Sequence, residues 1–358
     1  MSANDMTGLG LDGHKLHYHP DRVAAFLAGN IVWPIYAEIS PTSRCNHRCR
    51  FCNFNYLGHD GQNLPDGRMP VLMDELRQGG VKAVVFAGAG EPSLHPDTFA
   101  AVRRAVERGL DVAMSTNGTL LDAGQLQAMA ELLTWTRFSI NGGTPESYAA
   151  VHGSPPEDFR RAVRNLILLA ELKAKTGSAI TIGTQCVLMP ENRGDMAGLM
   201  RLLRESGADY FSIKHFYPHS DNAYRPDMSF LTGAYVEELR GLAARESRDG
   251  FVCRVRDPEN LSRERPYTEC FGLPFIVYVR ENGNLHTCFS RQDDEAASVG
   301  SLLEQSFPVL WGSEGRERVL RHFAESHDKN ECQANCRHHQ INLWLMKLKN
   351  PPPHVNFV

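Results

Sequence analysis

The chain has 358 residues, 42% hydrophobic and 22% charged, enough apolar sequence for a sizeable core and too balanced for a disordered, collagen-like or coiled-coil protein. Its 38 Lys and Arg against 42 Asp and Glu give a net charge of -4, so no global basic field exists to hold a nucleic acid. No apolar run approaches the ~20 residues of a membrane span, and residues 1–18 lack an apolar segment behind a basic start, so a cytoplasmic chain with no membrane or nucleic-acid partner is expected.

Residues 1–33 form an N-terminal extension, shorter than the ~55 residues a small stable domain usually needs. From 34 to 250 short β-branched runs alternate with helix-period stretches, the pattern of repeated βα units around a parallel sheet. Strands are predicted at 34–39, 83–86, 111–115, 135–140, 179–189 and 210–216. Helices are predicted at 70–77, 97–108, 123–132, 158–175, 195–206 and 232–245. After about residue 250 the character changes. Strands at 275–280 and 285–289 flank a turn whose Asn282-Gly283 step suits a hairpin, and helices follow at 314–325 and about 340–348, the last stopped by Asn350 and three prolines.

Nine cysteines in a reducing compartment point to metal or redox chemistry rather than disulfides. Cys45, Cys49 and Cys52 form C-x3-C-x2-C just after the first strand. Three thiolates on one loop can bind three irons of a cubane and leave one iron open; with His47 as a fourth ligand they could instead hold zinc. Cys270, Cys288, Cys332 and Cys336 follow after the sixth unit, with 17, 43 and 3 residues between successive members. Four thiolates match full ligation of a second cluster.

The first spacing, with the aromatic Phe51 directly before the last cysteine, resembles the radical S-adenosylmethionine (SAM) superfamily. The resemblance implies a partial (β/α)6 barrel with a small C-terminal β-hairpin plus helix iron-sulfur module, and further motifs follow in the family's order. Gly88, Gly90 and Glu91, followed by Pro92, are similar to the G-G-E-P stretch that holds the methionine ammonium, with Ala89 between the glycines. Ser115 and Asn117 end the third strand, where the family binds the SAM carboxylate or ribose. Ser139 and Asn141 resemble a ribose segment in which Asn141 replaces an acidic residue, and Val187 or Met189 on the fifth strand would lie near the adenine. Cofactors implied are SAM and two 4Fe-4S clusters, one on three cysteines and one auxiliary on four. The second set, in residues 251–358, resembles the Twitch/SPASM-like modules, and its wide-wide-narrow spacing is similar to that of the 2-deoxy-scyllo-inosamine dehydrogenases.

The chemistry so implied is hydrogen abstraction by a 5'-deoxyadenosyl radical from a carbinol carbon of a small polar substrate, a sugar, nucleotide-sugar or aminocyclitol. The auxiliary cluster would accept the second electron to give a ketone, and a flavodoxin or ferredoxin would act as reductant. Epimerisation is the runner-up, with Cys253 as the thiol hydrogen donor and Cys186 packed outward; a peptide-modifying maturase is a further alternative. Because barrel sites are built at strand ends, Lys214 and His215 are the candidates for proton acceptor and substrate contact, with Tyr217 and His219 beyond them. Arg291 could bind substrate or tune the cluster, and the loop 53–66 could close over the site.

Overall fold

The computed structural model describes residues 14–256 and 265–357, and in it the apolar runs become a ladder of parallel strands. β1 (Tyr36–Ile39), β2 (Ala83–Phe86), β3 (Asp111–Thr116), β4 (Trp135–Ser139), β5 (Thr181–Leu188) and β6 (Tyr210–His215) lie side by side in chain order. α1 (Pro20–Leu27) precedes them. The crossovers are α2 (Arg68–Gln78), α3 (Thr98–Glu107), α4 (Ala123–Leu132), α5 (Pro145–His152) with α6 (Glu157–Thr176), and α7 (Met196–Glu205). This is the partial (β/α)6 barrel that the sequence implies.

The sheet extends past that barrel on both sides. After α8 (Gly233–Glu246), β7 (Val252–Val255) pairs parallel with β6, so the parallel run continues just beyond residue 250. On the other edge β8 (Ile276–Val279) pairs parallel with β1, Tyr36 opposite Ile276. β9 (Asn284–His286) and β10 (Ser298–Ser301) then continue antiparallel to complete a ten-stranded sheet. The predicted hairpin turns at Gly283, whose φ of 85° favours glycine. β9 ends at His286, short of the predicted 289, because the chain turns at 287–290. α9 (Phe307–Trp311), α10 (Glu314–Glu325) and α11 (His338–Lys349) close the chain.

Strand alternation separates two chemistries. Ala37 and Ile39, Val84 and Phe86, Val112 and Met114, Phe138, Ile182 and Leu188, and Phe211 and Ile213 join one buried apolar cluster with residues of α2 to α8. Their alternates, among them Glu38, Ser115, Arg137, Ser139, Gln185 and Lys214, take the opposite face of the sheet. The barrel interior is therefore polar and its wall is apolar. A second cluster joins Val23 of α1 to Tyr278 of β8 and to Ile341 and Leu345 of α11, and the Trp311 indole donates to the Val32 carbonyl at 2.9 Å. The N-terminal segment thus packs against the C-terminal one.

Hydrophobic periodicity does not predict α5, yet its capping signals are present. Thr144 caps it reciprocally with Ser147, Pro145 stands in its first turn, and Gly153 ends it in the left-handed region. Its eight residues carry too little periodicity to register.

Phe138 is fully buried against helices on the outer face of β4, and a Cβ on Gly118 would strike its ring. Phe138→Ala is expected to cost about 3–5 kcal/mol, read as a lower urea midpoint of the cluster-free protein with an unchanged slope.

Candidate active site

The segment holding Cys45, Cys49 and Cys52 has almost no regular structure, and its neighbours hold it in place. The Arg48 and Arg50 amides donate to the last carbonyls of α5, His152 at 2.9 Å and Val151 at 3.1 Å, where a helix leaves acceptors unpaired. The Glu91 amide donates to the Arg44 carbonyl at 2.8 Å. Asn46, between the first two cysteines, accepts from Asn117 Nδ2 at 2.8 Å and donates to the Thr119 hydroxyl at 2.9 Å. The predicted closing loop, 53–66, is tied to the same stretch: Ser43 donates to Asp60 at 2.7 Å, and the Leu64 amide to the Pro41 carbonyl at 3.0 Å.

Gly88 and Gly90 prove to be needed for contact within the protein. A Cβ on Gly88 would overlap Ser40, and one on Gly90 would overlap the Thr42 and Arg44 carbonyls. The end of β2 therefore presses directly on the cysteine loop. Glu91 is buried and accepts from Thr116 Oγ1 at 2.7 Å, the Asn117 amide at 2.8 Å and Ser93 Oγ at 2.8 Å. Burial raises its pKa against those donors, so a cation reaching the cavity wall there would offset its desolvation.

A cavity of about 280 Å³ is lined by Cys45, Cys49, Cys52, Phe51, Gly88, Gly90, Glu91, Ser115, Asn117, Ser139, Lys214 and His215, with Gln185 and Val187 from β5. Of the residues singled out in sequence for SAM contact, two lie elsewhere. Asn141 is buried behind the wall: its Oδ1 accepts from the Val187 amide at 2.5 Å and its Nδ2 meets His152 Nε2 at 3.0 Å. Its amide is thus spent on packing β4 to β5 and α5 rather than on ribose. Met189 falls just past the end of β5 and packs with Val151 and Phe216; Val187, two residues earlier on the inward face, is the one at the cavity.

Lys214 is partly buried, and among the described residues its ammonium has no hydrogen-bond or ion-pair partner. Burial, reinforced by Arg137, Arg256 and Arg337, pushes its pKa well below the ordinary lysine range, with Glu38 opposing. Glu38 itself is engaged by Arg337 at 2.9 Å. His215 reaches the cavity edge while its Nε2 meets the Arg256 carbonyl at 2.9 Å. Tyr217 also lines the cavity, whereas His219 stacks on Tyr56 at 3.8 Å and bonds the Ser290 carbonyl. Cys253, the candidate hydrogen donor, is buried in the apolar core on β7 and does not line the cavity, because it lies on the helix-facing side of the strand; Cys186 packs into the same core. Burial raises both thiols, Cys253 to about 12.

Cys270, Cys288, Cys332 and Cys336 converge from the two ends of the C-terminal segment, close enough that each raises the pKa of Cys270 beyond the effect of burial. Asn342 Nδ2 donates to Cys270 at 3.3 Å, His327 Nε2 lies 3.4 Å from Cys332, Ser290 Oγ lies 3.6 Å from Cys288, and the His338 backbone bonds Cys336. Arg291 pairs with Glu331 at 2.5 Å beside them. Phe289 and Asn335, chain neighbours of Cys288 and Cys336, line the same cavity as the first cysteine set, a link no sequence spacing could show. His47, the possible fourth ligand, turns its Nε2 to Asp158 at 3.1 Å, a buried pair extended to Arg161.

The donor sets fit clusters better than single ions. Among the described residues, the donor atoms of His47, Cys49 and His152 lie within 4.8 Å of one another, a group that takes one thiolate of the first set and none of the second. All-thiolate sets of three and four suit an open and a closed iron-sulfur cluster.

Residues 39–203 match the family model described as "Radical SAM superfamily". The chain is 29% identical over 302 residues to the tungsten-containing aldehyde ferredoxin oxidoreductase cofactor-modifying protein of Pyrococcus furiosus, covering 78% of this chain and 81% of that one. It is 27% identical over 233 residues to the dTDP-4-amino-4,6-dideoxy-D-glucose ammonia-lyase of Streptomyces venezuelae, covering 60% of this chain and 48% of that one, about half its length. Among solved structures, Streptococcus suis SuiB bound to precursor peptide SuiA superposes with a TM-score of 0.67 at 16% identity, over 94% of this chain and 78% of that one, a likeness of fold. Among the described residues no helix is long and apolar enough to cross a membrane.

Anaerobically reconstituted protein is expected to hold about eight irons per chain, and the Cys45, Cys49, Cys52 triple alanine variant about four, with no SAM cleavage by the latter. Gly90→Ala is expected to lose iron in the same proportion, since its Cβ displaces the cysteine loop; iron analysis reads both.

Proposed function

We propose, on the premise that this chain is a radical SAM superfamily enzyme, that it oxidises a secondary alcohol of a small polar substrate to a ketone. The observation that carries the reading is the single cavity shared by both cysteine sets: Cys45, Cys49 and Cys52 line it directly, and Phe289 and Asn335 bring the surroundings of Cys288 and Cys336 to its edge. A cluster with all four irons ligated has no open site for substrate and is suited to carrying electrons, and an oxidation needs an electron acceptor near the reacting carbon. Epimerisation is less well supported, because it needs a hydrogen donor in the cavity and both spare cysteines lie in the apolar core. The sugar nucleotide in the name of the ammonia-lyase relative supports a sugar or nucleotide-sugar substrate, and we assign a flavodoxin or ferredoxin as reductant.

With SAM and both 4Fe-4S clusters bound, the cofactors would supply a 5'-deoxyadenosyl radical to take the carbinol hydrogen atom and an acceptor for the remaining electron. Cys45, Cys49 and Cys52 would hold the open cluster, and Cys270, Cys288, Cys332 and Cys336 the closed one. Glu91 would pair with the SAM ammonium, while Ser115, Ser139 and Val187 would contact its carboxylate, ribose and adenine. Lys214 accepts the hydroxyl proton: its amine faces the cavity, and burial among other cations favours the neutral form that can act as a base. His215, held by the Arg256 carbonyl, would orient substrate.

Product from candidate sugar and nucleotide-sugar alcohols is expected to be lighter by two hydrogens. Unchanged mass with deuterium taken up at carbon from heavy water would instead identify an epimerase. Lys214→Met is expected to cleave SAM while ketone formation falls at least ~100-fold. In the native enzyme, oxidation should rise with pH as the Lys214 ammonium loses its proton and level off well below the ordinary lysine range; a limb that persists up to that range would remove Lys214 from the role.

A further inference from the structure

We infer that His152 is a positioning residue for the electronics of the first cluster, donating a hydrogen bond from Nδ1–H to the sulfur of Cys49. This rests on the reading that Cys45, Cys49 and Cys52 hold an iron-sulfur cluster. His152 is the last residue of α5 and is fully buried. Its Nδ1 lies 3.3 Å from Cys49 Sγ, and its Nε2 lies 3.2 Å from the Asn141 backbone nitrogen and 3.0 Å from Asn141 Nδ2.

The tautomer follows from the partners. A backbone amide can only donate, so Nε2 is an acceptor and a neutral ring carries its proton on Nδ1, facing the sulfur. The Asn141 side chain agrees: its Oδ1 accepts from the Val187 amide, which leaves Nδ2 as a second donor to the ring. Asparagine at 141 suits this arrangement, because its amide offers the ring a donor. A carboxylate would attract a proton to Nε2 and leave Nδ1 bare.

The ring has little freedom. It stacks on Tyr148 at 4.0 Å and 22° and meets Phe51 edge-on at 5.8 Å and 82°, and its own carbonyl receives the Arg48 amide of the cysteine loop at 2.9 Å. Donor and sulfur are thus fixed to each other by backbone as well as side chain. Among the described residues His152 supplies the one side-chain donor assigned to a first-set sulfur; Cys45 receives the His47 amide at 3.4 Å. An N–H aimed at a ligating thiolate stabilises the more negative, reduced cluster and raises its potential, easing the one-electron reduction on which SAM cleavage depends.

Redox titration followed by EPR, without SAM, tests this. His152→Phe is expected to retain its iron while the reduced fraction of the first cluster at a fixed potential falls about threefold or more. His152→Asn, whose amide restores an N–H at the δ position, is expected to return toward the native value. An unchanged potential in His152→Phe at full iron content, or equal shifts in both variants, would overturn the assignment. If His152→Phe fails to load iron, pulsed EPR of reduced protein containing 15N-histidine decides. A weak nitrogen coupling that disappears in His152→Asn supports the hydrogen bond; no such difference, or a strong coupling of the kind a direct iron ligand gives, refutes it. Iron below four per chain in the native protein would instead undo the cluster reading itself.

Discussion

A loop with no ladder of its own must take its shape from what surrounds it. The segment around Cys45, Cys49 and Cys52 is pinned from three sides: by the open carbonyls at the end of α5, by the Glu91 amide reaching the Arg44 carbonyl, and by the Asn117 amide holding Asn46. Each anchor is a backbone or buried amide group that would cost about 1–3 kcal/mol if left unpaired. The glycines after β2 and the left-handed Gly153 after α5 exist to let those anchors approach, since a Cβ at Gly90 or Gly153 would overlap the loop's own carbonyls. Cysteine geometry is therefore a property of the barrel rather than of the loop.

The same strands that anchor the loop also sort charge. With apolar residues turned to the helices, Glu38, Arg137 and Lys214 are left on the inner face, and Arg337 enters beside them from the segment carrying Cys336, bonded to Glu38 and 5.3 Å from the Tyr36 ring. Burial, with Arg137, Arg256 and Arg337 outweighing Glu38, lowers the proton affinity of Lys214. Burial alone would act in this direction, and the neighbours reinforce it. A functional amine thus arises from the company the barrel interior keeps, and the C-terminal segment contributes part of that company.

Much of this was legible in the chain. Six strands and their crossover helices follow from period-2 and period-3.6 patterning, and the C-x3-C-x2-C spacing with Phe51 marks a cluster site because all three thiolates must come from one short loop. The family resemblance, rather than residue patterning, points to Glu91, Ser115 and Ser139, and all three line the cavity. The misplacements have specific causes. Asn141 and Met189 each sit two residues past a lining position, Ser139 and Val187, and beyond the end of a strand the alternation that assigns faces no longer holds. Cys253 is a candidate in sequence only because it is left over from the two cluster sets and an epimerase needs a thiol donor; β7 turns it to the apolar side. His152 carried no signal at all, since a lone histidine in a short helix has no partner visible in one dimension.

What the sequence determined by itself is the set of local, periodic or closely spaced features: the six barrel strands, the hairpin turn at Gly283 and the first thiolate triad. Such features rest on interactions among residues a few positions apart. Only the tertiary structure decided which residues share the cavity, which face each strand end shows, and that Cys49, His152 and Asn141 form one chain of contacts. Those depend on pairing residues some 100 positions apart, as with Cys49 and His152, and close approach over that distance is settled by the packing of the whole barrel rather than by the identity of either residue.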